Sequence, residues 1–217
     1  MDIEQARFNM IEQQIRPWEV LDPRVLNLLA DIRREDFVPS THRHLAFADI
    51  QIPLIDGEVM MQPKVEARLL QALAPEDDDN ILEIGTGSGY MTALLAALSK
   101  HVVSVEINPE LNQMAAQHLE DAAVFNTSLE IGDAAMGWDK GAPYDAIILT
   151  GSVPTTPESF KHIVAPGGRL VAVVGQAPIM EAMLYERFDD KAWRTTSLFD
   201  TSLPALKNVE LPPEFIF

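Results

Sequence analysis

The sequence predicts an α/β fold with a doubly wound, Rossmann-like and mostly parallel sheet of seven strands, a helical N-terminal extension and a C-terminal antiparallel β-hairpin. Three observations support this prediction. From residue 81 onward, short apolar runs alternate with amphipathic stretches, which is typical of a parallel sheet with right-handed crossovers. A glycine-rich turn follows the first apolar run. Two apolar runs near the C-terminus flank the polar segment 189–192, as in a hairpin at a sheet edge.

The predicted elements of this core are short and regularly spaced. Strands are predicted at 81–84, 102–106, 129–131, 145–150, 169–174, 180–188 and 193–199, with helices at 90–99, 109–122 and near 157–164. Pro166-Gly167-Gly168 is predicted to be a turn that leads into the fifth strand. We expect ligands to bind where the carboxyl ends of the parallel strands meet, at one edge of the sheet.

The N-terminal part of the chain is predicted to begin with two helices. Asp22-Pro23 has the residue types of a helix start, with the aspartate as N-cap and the proline in the first turn. Residues 40–62 contain prolines and a glycine and are predicted to form an ordered loop or short edge strands. Pro63 opens the next helix.

Length and composition favour one domain with a full hydrophobic core. The chain has 217 residues, 47% of them hydrophobic, and we expect a single domain, 1–217, with 1–62 as a helical cap and substrate loop and 63–217 as the core. Its net charge of −17 argues against nucleic acid and against an anionic membrane as partners. Because the sequence has no cysteine, no signal-peptide pattern and no long apolar run, we expect a cytoplasmic protein without disulfides or thiolate metal sites.

The stretch from Ile81 to Tyr90 carries the most specific signal. It is interpreted as a buried strand, a turn with Gly85, Gly87 and Gly89, and the start of a helix. Glycines let a ligand approach the main chain, and a helix N-terminus favours negative charge. The third glycine of the dinucleotide fingerprint and the lysine of a P-loop are both absent. The spacing instead resembles motif I of the S-adenosylmethionine (AdoMet)-dependent methyltransferases; the alternative is a turn that only closes a strand–helix corner.

Two acidic residues downstream fit the same ligand. Glu106 ends the second strand about 20 residues after the first glycine, which is where a strand-terminal acid binds ribose hydroxyls. Asp133 follows the third strand, where AdoMet enzymes often place an acid or amide against the adenine amino group. The alternatives are a surface glutamate at a strand end and a Gly132-Asp133 turn pair.

The combined motifs resemble those of the protein-L-isoaspartate O-methyltransferase family. The similar segments are 82–93, 104–106, 132–133 with 137–138, 144–150, 166–171, 174–175, 34–39 and 46–49. The resemblance implies an AdoMet-dependent methyltransferase fold, AdoMet as cofactor, and methylation of isoaspartyl carboxyl groups in damaged proteins or peptides. Together with the pattern above, it implies cofactor contacts from Glu83, Gly85, Thr86, Gly87, Ser88, Gly89, Glu106, Ile107, Asp133, Ala134 and Thr150.

The acceptor side departs from that family's pattern. The family usually has Gly-x-Thr-Ile-Ser-Gln-Pro before the helix opened by Pro63, but here Met61 replaces the serine and Val59 the threonine. A thioether is a poor hydrogen-bond partner. The catalytic residue is therefore unknown, and the acceptor-site candidates are Met61, Ser152 as a replacement hydroxyl, and Asp49 in the substrate loop. The alternatives are a different acceptor, such as a small molecule, and a non-catalytic AdoMet-binding protein.

Two further groups of residues lack a specific functional signal, so we expect ordinary structural roles for them. His42 and His44 have no matched third ligand, so we expect loop histidines and no metal site. For Arg16, Trp18, Arg33 and Arg34 we expect helix-surface roles; the alternative is a cationic edge that draws an anionic acceptor. The sequence predicts no oligomeric state.

Overall fold

A seven-stranded sheet forms the centre of the fold. The computed structural model describes residues 2–189 and 191–210. In chain order the strands are β1 (Ile52–Pro53), β2 (Val59–Met60), β3 (Asn80–Ile84), β4 (His101–Glu106), β5 (Thr127–Ile131), β6 (Tyr144–Val153), β7 (Val164–Gln176), β8 (Ile179–Arg187) and β9 (Trp193–Asp200). The pair β1 and β2 forms a small antiparallel sheet in the predicted substrate loop, and the other seven strands form the main sheet.

Helices flank this sheet and precede it. They are α1 (Ile3–Met10), α2 (Pro23–Asp31), α3 (Pro63–Leu73), α4 (Tyr90–Ala96), α5 (Pro109–Asp121) and α6 (Glu158–Lys161). The prediction of the N-cap of α2 is confirmed, since the Asp22 carboxylate accepts a hydrogen bond of 2.8 Å from the backbone N–H of Arg24. Within residues 2–189 and 191–210, no helix has the length and apolarity that crossing a membrane requires.

The order of the strands places a crevice at the end of β3. The sheet order is β5-β4-β3-β6-β7-β8-β9, with parallel pairing from β5 to β7 and antiparallel pairing of β8 with both of its neighbours. The chain leaves β3 for β4 on one side and later returns to β6 on the other. In open α/β sheets such a switch point lies beside the ligand-binding crevice. The doubly wound, mostly parallel prediction with a C-terminal hairpin is confirmed.

Apolar clusters cover both faces of the sheet. Ile81 of β3 faces a cluster that also contains residues of α3, α4 and the N-terminal helices, among them Met10 and Leu29. Leu82, the next residue of β3, faces a second cluster that includes Phe160 of α6. Because the N-terminal segment shares its core with the sheet, we propose that the chain is one domain with 1–62 as its cap and substrate loop and 63–217 as its core.

The predicted turn at Pro166-Gly167-Gly168 lies inside a longer strand. β7 begins at Val164, and the register with β6 shifts between Tyr144 and Ala146. The segment therefore forms an irregularity within the strand, and the prediction of a separate turn was wrong. Within it Gly167 has φ of +82°, which a glycine adopts without strain. The predicted helices at 90–99 and near 157–164 are shorter in the structure, ending at Ala96 and spanning only Glu158–Lys161.

Candidate active site

A cleft lies above the carboxyl ends of β3, β4, β5 and β6. The space between its walls, with the open mouth included, is about 920 Å³. Residues 85–88 of the glycine turn form its floor, residues 58–61 of the substrate loop form one wall, and residues 203–207 form the opposite wall. Gly89, which was predicted to contact the cofactor, lies outside this lining. The crevice expected from the strand alternation is therefore present at the predicted edge of the sheet.

The glycine turn is shaped by its neighbours as well as by its own flexibility. Gly85, Gly87 and Gly89 have φ of +97°, +53° and +84°, and Gly89 is the N-cap of α4. A Cβ at Gly85 would lie 2.3 Å from Oγ1 of Thr150, so no larger residue fits there without a shift. That hydroxyl lies 2.6 Å from the carbonyl oxygen of Gly85 and 2.8 Å from that of Ile84, and it joins the ends of β3 and β6.

Glu106 ties the glycine turn to the end of β4. Its Oε2 accepts a hydrogen bond of 2.9 Å from the backbone N–H of Gly87, and its Oε1 accepts one of 3.0 Å from the N–H of Asn108. The side chain is buried and lines the cleft. Asp56, on the turn before β2, accepts from the Asn108 side-chain amide at 2.8 Å, which brings the substrate loop over this acid. A carboxylate has further lone pairs with which to bind ribose hydroxyls in the cleft.

Glu83 lies behind the glycine turn and does not line the cleft. It is fully buried and accepts hydrogen bonds from Thr92 Oγ1 at 2.5 Å and Ser104 Oγ at 2.6 Å. Oγ1 of Thr86, in the turn, lies 2.6 Å from the same Ser104 hydroxyl. Burial raises the pKa of Glu83 to about 8, although both hydrogen bonds oppose the rise. The predicted contact with the cofactor is thus replaced by an indirect role, in which Glu83 holds the turn from below.

Asp133 faces the cleft at the end of β5. Its Oδ1 accepts a hydrogen bond of 3.0 Å from the N–H of Ala135, as a turn-forming aspartate does. Its Oδ2 accepts one of 2.8 Å from the side-chain amide of Asn208, which comes from the opposite wall. Together with Asp133, the predicted residues Ile107 and Ala134 line the cleft. The aspartate therefore caps a turn and also faces the ligand space. The geometry is compatible both with a Gly132-Asp133 turn pair and with a contact to the adenine amino group.

Met61 lines the cleft on the predicted acceptor side. The residue is 5% exposed, and its backbone carbonyl accepts a hydrogen bond of 2.6 Å from Nη2 of Arg34. Glu66, in the first turn of α3, lines the same wall and pairs with the Arg34 guanidinium. Burial raises the pKa of Glu66 to about 7, and the arginine opposes this shift. The acceptor wall is apolar at Met61 and carries a buried ion pair beside it.

The other two acceptor candidates are engaged elsewhere. Ser152 is buried outside the cleft lining, and its hydroxyl donates a hydrogen bond of 3.0 Å to the carbonyl of Leu203. Asp49 forms an ion pair of 2.6 Å with Lys64 and also lies outside the lining. Ser152 is therefore not a replacement hydroxyl, because its donor is already used to hold the opposite wall. The structure brings only Met61 of the three candidates to the cleft.

Arg34 and Glu66 were not among the residues predicted for the site. The expected helix-surface role of Arg34 was wrong, since its side chain is completely buried. One signal for Glu66 was present in the sequence. It precedes Leu69, Leu70 and Leu73 by three, four and seven residues, which places an acid on the apolar face of a helix. An acid at such a position is buried and needs a partner, although the sequence did not indicate which one.

Residues 203–208, here called the C-terminal strap, close one side of the cleft. Lys207 forms an ion pair of 2.9 Å with Glu58 of the substrate loop, and Asn208 contacts Asp133. The backbone of Ser152 pairs with the strap, donating to Pro204 O and accepting from Leu206 N at 2.9 Å each. The sequence predicted no element here, because these contacts join segments more than 50 residues apart.

The charges of the cleft suit a cationic ligand. Its lining contains Glu58, Glu66, Glu106 and Asp133, while Lys207 is the one basic residue in that lining among the residues described. AdoMet carries a sulfonium and an ammonium group against a single carboxylate, so its net charge is positive. The described residues contain no cluster of three or more potential metal ligands. The acidic lining of the cleft and the glycine turn at its floor therefore fit AdoMet.

The chain is similar to known proteins over most of its length. The model of the family described as protein-L-isoaspartate(D-aspartate) O-methyltransferase (PCMT) matches residues 5–204. The protein-L-isoaspartate O-methyltransferase of Koribacter versatilis is 38% identical over 194 residues, which are 89% of this chain and 87% of the relative. The enzyme of that name from Myxococcus xanthus is 43% identical over 156 residues, covering 72% and 74% of the two chains.

Solved structures show the same fold. A protein-L-isoaspartate O-methyltransferase superimposes with a TM-score of 0.78 at 23% identity, over 92% of this chain and 65% of that one. A putative enzyme of this kind from Plasmodium falciparum, in complex with S-adenosyl-L-homocysteine, has a TM-score of 0.78 at 16% identity, over 95% and 99% of the two chains. The family match over most of the sequence, with relatives at 38% and 43% identity, shows that this chain belongs to the protein-L-isoaspartate(D-aspartate) O-methyltransferase family.

Proposed function

We propose that this chain transfers the methyl group of AdoMet to the carboxyl group of isoaspartyl residues in damaged proteins or peptides. The observation that carries the proposal is one cleft in which the glycine turn, Glu106 and Asp133 face Met61 and the acceptor wall. Family membership supports the same reaction. The cytoplasmic location predicted from the sequence is part of this proposal.

The cofactor half of the site has a distinct role for each group. Glu106 accepts hydrogen bonds from the ribose hydroxyls, and Asp133 accepts one from the adenine amino group. The N–H groups of Gly85 and Gly87 donate to the Val105 carbonyl and to Glu106, so these glycines contribute to the cofactor half by leaving room for close approach of the methionine end to the main chain. Glu83 supports this turn from behind through Thr92 and Ser104.

The reaction needs positioning more than proton transfer. When bound, AdoMet would supply a sulfonium methyl group: a carboxylate oxygen would form a bond to the methyl carbon as the S–CH3 bond breaks, giving a methyl ester and S-adenosyl-L-homocysteine as the leaving group. An isoaspartyl carboxyl has a pKa near 4 and is already an anion at neutral pH, so it requires no general base. The chain's residues contribute by holding the carboxylate in line with the methyl group and by excluding water. Met61 serves the second purpose, because its buried thioether presents an apolar surface.

The proposal is tested by methyl transfer from tritiated AdoMet to an isoaspartyl peptide. We expect base-labile label on this peptide and none on the same sequence with ordinary aspartate. Met61→Ser, measured in parallel, adds the hydroxyl that other family members carry, and we expect it to retain the activity. Binding of AdoMet without transfer by the native chain would contradict the proposed acceptor. Transfer by Met61→Ser alone would locate the fault at Met61 and would point to a different acceptor for the native chain.

A further inference from the structure

Arg34 is the most deeply buried charged side chain beside the cleft. It begins a 3-10 turn of residues 34–36 after α2, and its side chain has no solvent exposure. Burying a guanidinium is costly unless its donors are used and its charge is paired. Here three of its nitrogens have acceptors, and each acceptor belongs to a different segment of the chain.

The contacts of Arg34 join the substrate loop to the core. Its Nε donates to the carbonyl of Ala46 at 2.9 Å, its Nη2 donates to the carbonyl of Met61 at 2.6 Å, and its Nη1 pairs with Glu66 of α3. The guanidinium also lies 5.1 Å from the ring centroid of Tyr90, the first residue of α4 after the glycine turn. A single planar group therefore fixes both ends of the loop relative to the element that carries the cofactor turn.

Two of these partners line the cleft, whereas Arg34 does not. Met61 and Glu66 both face the ligand space. Glu83 and Tyr90 are the other ionisable groups whose charges interact with Glu66, so Arg34 is the cation that balances this acid. Without the guanidinium, nothing would oppose the effect of burial on the pKa of Glu66, and the acid would take up a proton. The wall next to Met61 would then lose its ion pair and the donor that holds the Met61 carbonyl, whereas Glu106 would keep its hydrogen bond to the glycine turn.

We propose that Arg34 is the positioning residue for the methyl acceptor: it fixes the backbone at Met61 and pairs with Glu66, and it is not required for AdoMet binding. This inference rests on the proposed function, since it takes the acceptor to be a carboxylate. The chain offers a matched control in Arg169. This arginine likewise donates to backbone carbonyls, those of Leu73, Ala74 and Asp145, and to the carboxylate of Asp79, but none of these residues lines the cleft.

Steady-state kinetics of Arg34→Gln and Arg169→Gln with the isoaspartyl peptide provide the first test. For Arg34→Gln we expect KM for the peptide to rise by at least about 10-fold and the Kd for AdoMet to change by less than about 3-fold. Arg169→Gln should leave KM for the peptide unchanged. Arg34→Lys keeps the charge but not the fork of donors, so its KM for the peptide should lie between the values for the native protein and Arg34→Gln. This variant replaces Arg34→Gln in the test if the glutamine variant does not fold. Equal peptide KM values for native protein, Arg34→Lys and Arg34→Gln would overturn the proposal.

Hydrogen exchange separates this inference from the proposed reaction. In Arg34→Gln or Arg34→Lys, amides of residues 57–62 should exchange faster, while those of residues 85–89 should not. If the native chain methylates no isoaspartyl peptide, the proposed function fails, and the exchange experiment still decides whether Arg34 fixes the acceptor wall. Unchanged exchange at residues 57–62 would contradict that role.

Discussion

Glu106 shows how one side chain serves both the fold and the proposed ligand. Its carboxylate holds the N–H groups of Gly87 and Asn108 at 2.9 and 3.0 Å and also lines the cleft. Because the two backbone donors fix its orientation before any ligand arrives, the remaining lone pairs are directed without further loss of side-chain entropy.

Replacing Glu106 by glutamine should weaken AdoMet binding by about 10- to 100-fold, the cost expected for a charged hydrogen-bond acceptor. Glu106→Gln retains the size of the side chain but loses its charge and one acceptor. Calorimetric titration with AdoMet and with its demethylated product would measure the change. Glu110→Gln, at an exposed acid in the first turn of α5, is the control and should bind normally. Equal affinities for the two variants would refute the ribose-binding role of Glu106.

The pKa of Glu83 gives a pH dependence of stability. In the folded chain it is raised to about 8 from an ordinary value of 4.5, so between these values the folded state binds a proton that the unfolded state does not. Its contribution to stability is therefore complete below about pH 4.5 and is lost as the pH rises through about 8. Between pH 5 and pH 8, the free energy of unfolding of Glu83→Gln should therefore fall by less than that of the native chain. The two decreases should differ by on the order of 1–3 kcal/mol.

Urea unfolding of both proteins at several pH values measures this difference. Glu66, whose pKa is raised to about 7, contributes to the slope in both proteins and cancels from the comparison. Parallel stability curves for the native chain and Glu83→Gln would contradict the buried, protonated state of Glu83.

The role of a single residue was predictable where the local sequence pattern determines its position, and it was not predictable where partners from distant segments do. Glu106 and Asp133 end predicted strands at the expected edge, and the structure places both in the cleft. Ser152 and Asp49 were misjudged as acceptor candidates, because the groups they bind come from other segments of the chain. Arg34 looked like a surface residue since nothing in its neighbourhood revealed the three acceptors around it.

Among the elements, the C-terminal strap closes one side of the cleft. It reaches across the cleft through Lys207 to Glu58 and through Asn208 to Asp133. The ion pair is partly exposed, with side-chain exposures of 44% and 30%, so its contribution is small. The backbone hydrogen bonds to Ser152 hold the strap to β6, so loss of the ion pair alone should change the release of the demethylated cofactor only a few-fold.

Lys207→Gln should accelerate dissociation of the demethylated cofactor by about 2- to 5-fold, since a partly exposed ion pair contributes less than about 1 kcal/mol. A chase of labelled product from the protein would measure the rate. Lys140→Gln breaks a comparable pair with Glu130 outside the cleft lining and serves as control. If both variants release the product at the native rate, the strap contact does not limit access.

Across the whole molecule, the N-terminal helices and the sheet share one hydrophobic core. Leu29 of α2 is 1% exposed and belongs to the same cluster as Ile81 of β3. This arrangement explains how residues far from the crevice support it. The cap positions Arg34, and Arg34 in turn holds the acceptor wall.

Truncating Leu29 should destabilise the whole chain in one step. Leu29→Ala is expected to cost about 2–5 kcal/mol and to leave a single cooperative unfolding transition. Leu21→Ala is the matched control, because Leu21 is 67% exposed and its loss should change stability little. Circular dichroism and tryptophan fluorescence followed through the same urea titration would provide the test. Separate transitions for the cap and the core would contradict the single-domain proposal.

The class of fold was predictable because hydrophobic alternation reports which segments are buried. Seven strands were expected in the main sheet, and seven are present. Their ends were not predictable, since pairing with neighbours decides where a strand begins; β7 extends back to Val164 through the glycines that were interpreted as a turn. The strap and the buried ion pair of the acceptor wall depend on tertiary contacts alone, which no local pattern encodes.

The most direct test of the account is competitive methylation of two peptides that differ only in an isoaspartyl or an aspartyl linkage. With AdoMet near its Kd for the native chain, we expect base-labile methyl ester on the isoaspartyl peptide alone. The label should decrease in Glu106→Gln through weaker cofactor binding and in Arg34→Gln through a higher peptide KM. Equal labelling of both peptides, or tight AdoMet binding with no ester on either, would contradict the claim that this chain is an isoaspartyl carboxyl methyltransferase.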